Sequence, residues 1–166
     1  MNMQSTKLIF ALVIVIAAVA GWYAFRPERL FTNQSVNEQF PTATAAAPAQ
    51  LSALASGDFH DVSHKGSGTA AIYQLADGKR VLRFTNFETS NGPDVQVYLV
   101  AADDARDAET VKNAGFISLG ALKGNVGDQN YDVPANIDLN KYRAVSIWCR
   151  RFSANFATAP LRQQQS

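Results

Sequence analysis

Asp94-Val-Gln-Val-Tyr-Leu-Val-Ala101 is the stretch on which the fold turns. Val95, Val97 and Leu99 alternate with Gln96, Tyr98 and Val100, the two-residue period of a strand resting one face on a core. Asn91-Gly92-Pro93 just before it reads as a turn. Ala144 to Arg150 repeats the alternation, with Val145, Ile147 and Cys149 on one face. Phe152 and Phe156 follow in the opposite phase, and a bulge or bend near Arg150-Arg151 would reconcile the two.

Working outward, Gly66–Leu75 and Arg80–Phe87 form a strand pair about Ala76-Asp77-Gly78-Lys79, whose Asp-Gly suits a tight hairpin turn. Phe116–Leu122 and Gln129–Val133 are further short strands, with a turn over Gly124–Asp128 between them. Only Ala102–Asn113 reads as helical in this half of the chain. The expectation is an all-β domain: a β-sandwich or barrel of short, mostly antiparallel strands.

The first residues read differently. Leu8–Phe25 is an unbroken apolar run between Lys7 and Arg26. As a helix it would span about 27 Å, close to a bilayer core of about 30 Å. Trp22 and Tyr23 stand near its end, where aromatic rings favour the headgroup layer. The expectation is one N-terminal transmembrane helix, through which the chain partners a membrane. The rival is a signal peptide cut after Ala20, because Ala18-Val-Ala20 has the small-x-small form of a cleavage site. Against cleavage, the apolar run continues beyond it. The signal-like architecture places the rest of the chain outside the cytoplasm as a single-pass protein; the charges on either side scarcely discriminate. The layout expected is a short tail over 1–7, the anchor over 8–25, a spacer over 26–56, the β domain over 57–161 and a frayed tail over 162–166. Pro41-Thr-Ala-Thr-Ala-Ala-Ala-Pro48 in the spacer is too poor in large apolar side chains to order itself. Leu51–Ala55 is a candidate for one helical turn.

Composition closes several functional classes. Lys+Arg number 15 and Asp+Glu 14, and from Gly57 onward the two signs balance, so no basic footprint for nucleic acid is expected. The acidic group Asp103, Asp104, Asp107 and Glu109 lacks the alternating ligands and central glycine of a calcium loop and reads as a solvated turn or short helix. Neither Gly-x-Ser-x-Gly nor His-Glu-x-x-His occurs. One cysteine, Cys149, excludes an internal disulfide and any zinc site built on paired cysteines.

That lone sulfur is the candidate redox thiol. A buried, inert small hydrophobe is the plainer reading of Cys149. Strand period would put Arg151 on its side, where a cation favours thiolate. The two histidines, His60 and His64, could join Cys149 in a trigonal copper site, but the weak axial Met is missing, since Met1 and Met3 precede the anchor. His64 is alternatively an axial ligand for non-covalent haem. Asp94, opening its strand, is read as a turn stabiliser or as a ligand beside His64 or Cys149.

Several segments together resemble a known family. His64-Lys-Gly-Ser-Gly-Thr69, Leu82-Arg-Phe-Thr-Asn-Phe87, Gly92-Pro-Asp-Val-Gln-Val-Tyr-Leu99, Leu119-Gly-Ala-Leu-Lys-Gly124, Gly127-Asp-Gln-Asn-Tyr-Asp-Val-Pro134 and Val145-Ser-Ile-Trp-Cys-Arg-Arg-Phe152 look like the electron-transfer DM-thirteen domain. The likeness spans about Gly57 to Leu161, and Arg26–Pro41 looks like the region preceding that domain in bacterial, membrane-anchored members. The resemblance implies an extracytoplasmic β-rich domain associated with DOMON-type modules. It also implies a redox role for Cys149, as a bare thiol or through a metal, with His64 and Asp94 as the matching histidine and aspartate. The identity of a metal or haem cofactor, and of a redox or envelope protein partner, is not implied. The alternative is a non-catalytic binding or scaffold module with a structurally buried cysteine.

Overall fold

The structure is a computed structural model that describes residues 3–25, 32–41 and 52–164. The first helix, α1, covers Met3–Phe25. Its large apolar side chains, Leu8 through Tyr23, are each at least half exposed. Among the described residues no helix is long and apolar enough to cross a membrane, so the anchor expected over Leu8–Phe25 takes no support from the fold.

Among the described residues ten strands follow, in two antiparallel five-stranded sheets. The first sheet runs in the order β10 (Arg162–Gln163), β1 (Ala53–Asp58), β3 (Gly66–Gln74), β4 (Arg80–Thr89), β7 (Gln129–Val133). The second runs β2 (His60–Asp61), β9 (Ala154–Pro160), β8 (Ala144–Cys149), β5 (Val95–Val100), β6 (Phe116–Ala121). Sandwiched between them are Ile72, Leu82, Phe84 and Phe87 from the first sheet and Val97, Leu99, Val145 and Ile147 from the second. Phe59, Phe84 and Phe87 meet pairwise with ring centroids 4.9–5.0 Å apart. The β3–β4 hairpin closes as its sequence asks: Gly78 takes φ 84°, and the Leu75 amide donates to the Lys79 carbonyl at 2.8 Å.

The alternation along β5 and β8 holds, but both strands are buried throughout, not on one face only. The outer face of the second sheet carries its own cluster of Tyr98, Val100, Ala105, Val111, Ala144 and Trp148. Part of the cover is α2 (Ala108–Ala114). This helix is shorter than the expected Ala102–Asn113, because Asp107 caps it, accepting from the Thr110 amide at 2.6 Å. The acids ahead of the cap pair with cations: Asp104 with Arg106 at 2.7 Å, and Asp103 with Arg143.

Three local readings differ from expectation. Residues 51–55 do not form a helical turn among those described: Ala53 opens β1, which pairs with β3, so the domain begins inside the expected spacer. The tail is not frayed at its start, since Arg162 and Gln163 pair with Ser56 and Ala55. The phase change after Cys149 arises in two steps. The chain turns over Arg150–Ser153, where Ser153 takes φ 49°, and the register slips opposite Ile147 and Trp148, leaving Phe156 as the extra residue of β9. The bulge turns Phe156 into the core, where it is 2% exposed, and the turn leaves Phe152 on the surface at 64%.

The other part of the expected spacer, residues 32–41, lies on the domain as a strap. Ser35 bridges Val126 in parallel, and the amides of Val36 and Glu38 donate to the carbonyls of Val126 and Asp128 at 2.9 and 3.0 Å. Glu38 is the hub. Its carboxylate receives Lys123 Nζ at 2.7 Å and the Asn130 amide at 2.7 Å, and its carbonyl receives Arg83 Nη1 at 2.6 Å. Burial alone would raise the Glu38 pKa, but the Lys123 and Asn130 hydrogen bonds outweigh it and hold the carboxyl below its ordinary range. Gly127, at φ 101°, admits the strap, because a Cβ there would stand 2.1 Å from the Val36 carbonyl oxygen. Residues 42–51 of the spacer lie outside the described residues.

Candidate functional site

Strand alternation sorts the candidate residues onto two faces of the second sheet. Val95 opposes Cys149 and Gln96 opposes Trp148 in the β5–β8 ladder. Val95, Val97, Ile147 and Cys149 belong to the core between the sheets, while Tyr98 and Trp148 belong to the outer cluster. Cys149 is the last residue of β8 and is completely buried. Its surroundings are those of a core hydrophobe. Arg151 lies in the exposed turn beyond the strand end, not beside Cys149 on a continuing strand, so the expected thiolate-favouring neighbour does not arise from strand period.

Asp94 closes the same end from outside. Its carboxylate takes both prongs of Arg150, Nε at 3.0 Å and Nη2 at 3.1 Å, and Gln96 Nε2 donates to Oδ1 at 2.8 Å. The Arg150 amide also donates to the Asp94 carbonyl at 3.0 Å. The Arg150 guanidinium is the largest influence on Asp94 and, against the opposing effect of burial, holds its carboxyl below the usual range. The pair thus clasps loop 90–94 to the 150–153 turn on the outer face of the sheet, whereas Cys149 faces the core on the inner side of the same sheet end. Burial raises the phenol of Tyr98 on the same outer face. Arg150 and Gln96 were not among the residues singled out from the sequence. Their alternation with Cys149 and Val95 was legible, but the register that brings them to Asp94 is tertiary.

His64 stands elsewhere in this end. Its imidazole lies on the Phe156 ring, centroids 3.9 Å apart, and its amide donates to the Phe156 carbonyl at 3.0 Å. Gly92 also approaches this ring: a Cβ there would come within 3.1 Å of two Phe156 carbons and 2.7 Å of Val95 Cγ2. The Gly-Pro-Asp turn, the bulged Phe156 and His64 therefore form a cap over the end of the core that contains Cys149. His60 is engaged differently, with Nε2 2.8 Å from Asp104 Oδ1.

These positions do not make a metal-binding donor set. Among the described residues no group of three or more His, Cys, Asp or Glu is gathered as ligands would be. The trio of Cys149, His64 and Asp94 expected from the sequence is divided between a buried apolar site, an aromatic stack and an ion pair. Both carboxylate oxygens of Asp94 are already taken. Four clefts among the described residues are lined by neither histidine and not by Cys149. One of them, about 140 Å³, lies against the clasp and is lined by Gly92, Asp94, Gln96, Gln34 and Asn125.

Comparison with curated proteins and with solved structures returns no match. Comparison with protein families does: residues 58–161 match the family described as Electron transfer DM13, from the last residue of β1 to the residue after β9. With most of its length inside that match, the chain belongs to the electron transfer DM13 family.

Proposed function

We propose that this chain is a redox accessory module of the cell envelope, tethered by Leu8–Phe25 with its β domain outside the cytoplasm, and that Cys149 is its guarded thiol. The observation that carries the redox reading is the family match laid over a domain whose one sulfur ends a strand at the same sheet end as the Asp94–Arg150 clasp. The tether rests on the apolar run to Phe25, which no polar face interrupts. With no second cysteine in the chain, thiol–disulfide exchange here means a mixed disulfide with an envelope partner. The Cys149 thiolate attacks one sulfur of the partner's disulfide, and the other sulfur leaves as thiolate. Such a step requires this end of the sandwich, which the clasp helps to hold, to open, since a completely buried sulfur meets no partner. Local opening of a loop end lies well below the free energy of global unfolding in many domains.

Thiol labelling of the folded, full-length chain with iodoacetamide tests this. Slow modification of Cys149 is expected, accelerated by Asp94→Asn while the global unfolding rate stays the same. Modification that keeps pace with global unfolding and ignores Asp94→Asn would defeat the redox reading. The second reading would then stand: a binding or scaffold module with an inert core cysteine. The complete burial of Cys149 among apolar side chains is the observation that favours it.

A further inference from the structure

Four loops crowd one end of the sandwich. β5 begins at Val95 opposite the end of β8 at Cys149, and β6 ends at Ala121 opposite Gln96. Loops 90–94, 150–153 and 122–128 therefore share this end, and the loop bearing His64 joins them through Phe156 and Asn155. The strap enters the domain here too. Asn33 Oδ1 accepts from Asn91 Nδ2 at 3.2 Å and Asn125 Nδ2 at 3.0 Å, and the Gln34 amide donates to Asn125 Oδ1 at 2.7 Å. From Asn33 the strap runs away from this end, past Glu38, to Phe40 against Tyr73, with ring centroids 5.1 Å apart.

The reach of the chain then limits where this end can lie. Phe25 closes the apolar helix and Asn33 is fastened to the loop end. However the intervening residues run, they span at most about 28 Å. A free spacer to residue 56 would reach several times further, so the strap converts a long tether into a short one. The same end carries Arg150, Arg151, Phe152 and Lys65, all exposed. Phe152 is a large apolar side chain presented outward between Arg151 and Ser153. Acids share this end, Asp61 and Glu88 exposed and Asp94 paired with Arg150, so the turn is set apart by the outward Phe152 beside Arg151, not by net charge. At the opposite end, between β5 and β6, Asp103 and Glu109 pair with Arg143 and Lys112. Aromatic rings favour the headgroup layer, and basic side chains are drawn to anionic lipid over about one Debye length, roughly 8–10 Å.

We infer that the Arg150-Arg151-Phe152 turn is a membrane-surface contact, which seats the clasp end of the domain against the anionic headgroups of the bilayer holding α1. This rests on the anchor reading above. It fixes orientation as well as tethering: the end that covers Cys149 faces the lipid, and the α2 end faces outward.

The test uses the full-length chain reconstituted in vesicles of phosphatidylcholine and phosphatidylglycerol with brominated acyl chains. Trp22→Phe and Trp148→Phe are carried throughout, so that the placed indole is the only tryptophan in the chain. A tryptophan placed by Phe152→Trp is expected to lose emission to the bromines, whereas one placed by Lys79→Trp, in the hairpin turn at the other end, keeps its emission. Adding Arg151→Glu to the first chain should restore emission. If the chain floats with the vesicles but the two indoles are quenched alike, or neither is, the contact is disproved while the anchor stands; an unquenched Phe152→Trp is also what docking onto a protein would give. If the chain fails to float with the vesicles, the anchor falls and the contact falls with it.

Discussion

Cys149 shows how little a residue's chemistry is decided by its type. Its sulfur is a potential nucleophile, yet β8 places it inward with Val145 and Ile147. Replacing it by serine would set a hydroxyl in a completely buried site whose neighbours are apolar. An unsatisfied buried hydroxyl costs about 1–3 kcal/mol, so Cys149→Ser should lower stability by that much in urea unfolding at unchanged m-value. A fully stable serine variant would mean that a polar partner or water reaches the position, and the enclosed picture would be wrong. Asp94 illustrates the reverse. From sequence it read as a turn residue or ligand; in the fold its acceptors are taken up by Arg150 and Gln96. No residue pattern could show that, because Asp94 and Arg150 meet only through the pairing of β5 with β8.

Among the elements, the strap departs most from expectation. Charge-poor, alanine-rich sequence over 41–48 made the whole of 26–56 look like a spacer, but the segment before it contains Val36, Glu38 and Phe40, each with a partner on the domain. Acid should release it. The Glu38 pKa is lowered in the folded state, so its contribution is fully present above the ordinary glutamate value of 4.5 and is lost as pH falls through the lowered one. Amide exchange at Val36 and Asn130, taken relative to Leu99 in β5, should therefore rise on acidification below that value. A constant ratio across that range would show that Glu38 does not hold the strap. Six strands were legible: Gln129–Val133 appears with the expected limits and β3, β4, β5, β6 and β8 within a few residues, because period-two alternation and turn residues are local signals, whereas β1, β2, β9 and β10 were not read as strands. α2 was overextended because Ala102–Asn113 lacks a helix breaker, and Asp107 acts as a cap only once the chain around it is placed.

For the molecule as a whole, stability rests on the layer between the two sheets. Phe84 is completely buried and touches Phe59, Phe87 and Tyr131 with ring centroids 4.9–5.3 Å apart. Phe84→Ala should cost about 3–5 kcal/mol, a large share of the roughly 5–15 kcal/mol typical of a domain. Thermal unfolding followed by tryptophan emission would show the loss at Trp148, on the outer face of the other sheet, if the sandwich unfolds as one unit. A loss felt only by probes in the first sheet would divide it into two. The family match, 58–161, covers most of this sandwich and leaves outside it α1, the strap, β1 up to Gly57 and β10, although β1 and β10 are strands of the first sheet.

The sequence by itself determined the class of the domain, the faces of its strands and the apolar character of the first segment, since periodicity, turn chemistry and hydropathy are properties of neighbouring residues. Tertiary structure alone decided which residues meet: that Cys149 is enclosed, that Asp94 belongs to Arg150, that His64 lies on Phe156 and that the strap belongs to the domain. Those contacts join positions tens of residues apart in the chain, and only the register of paired strands, with one bulge and one turn, brings them together.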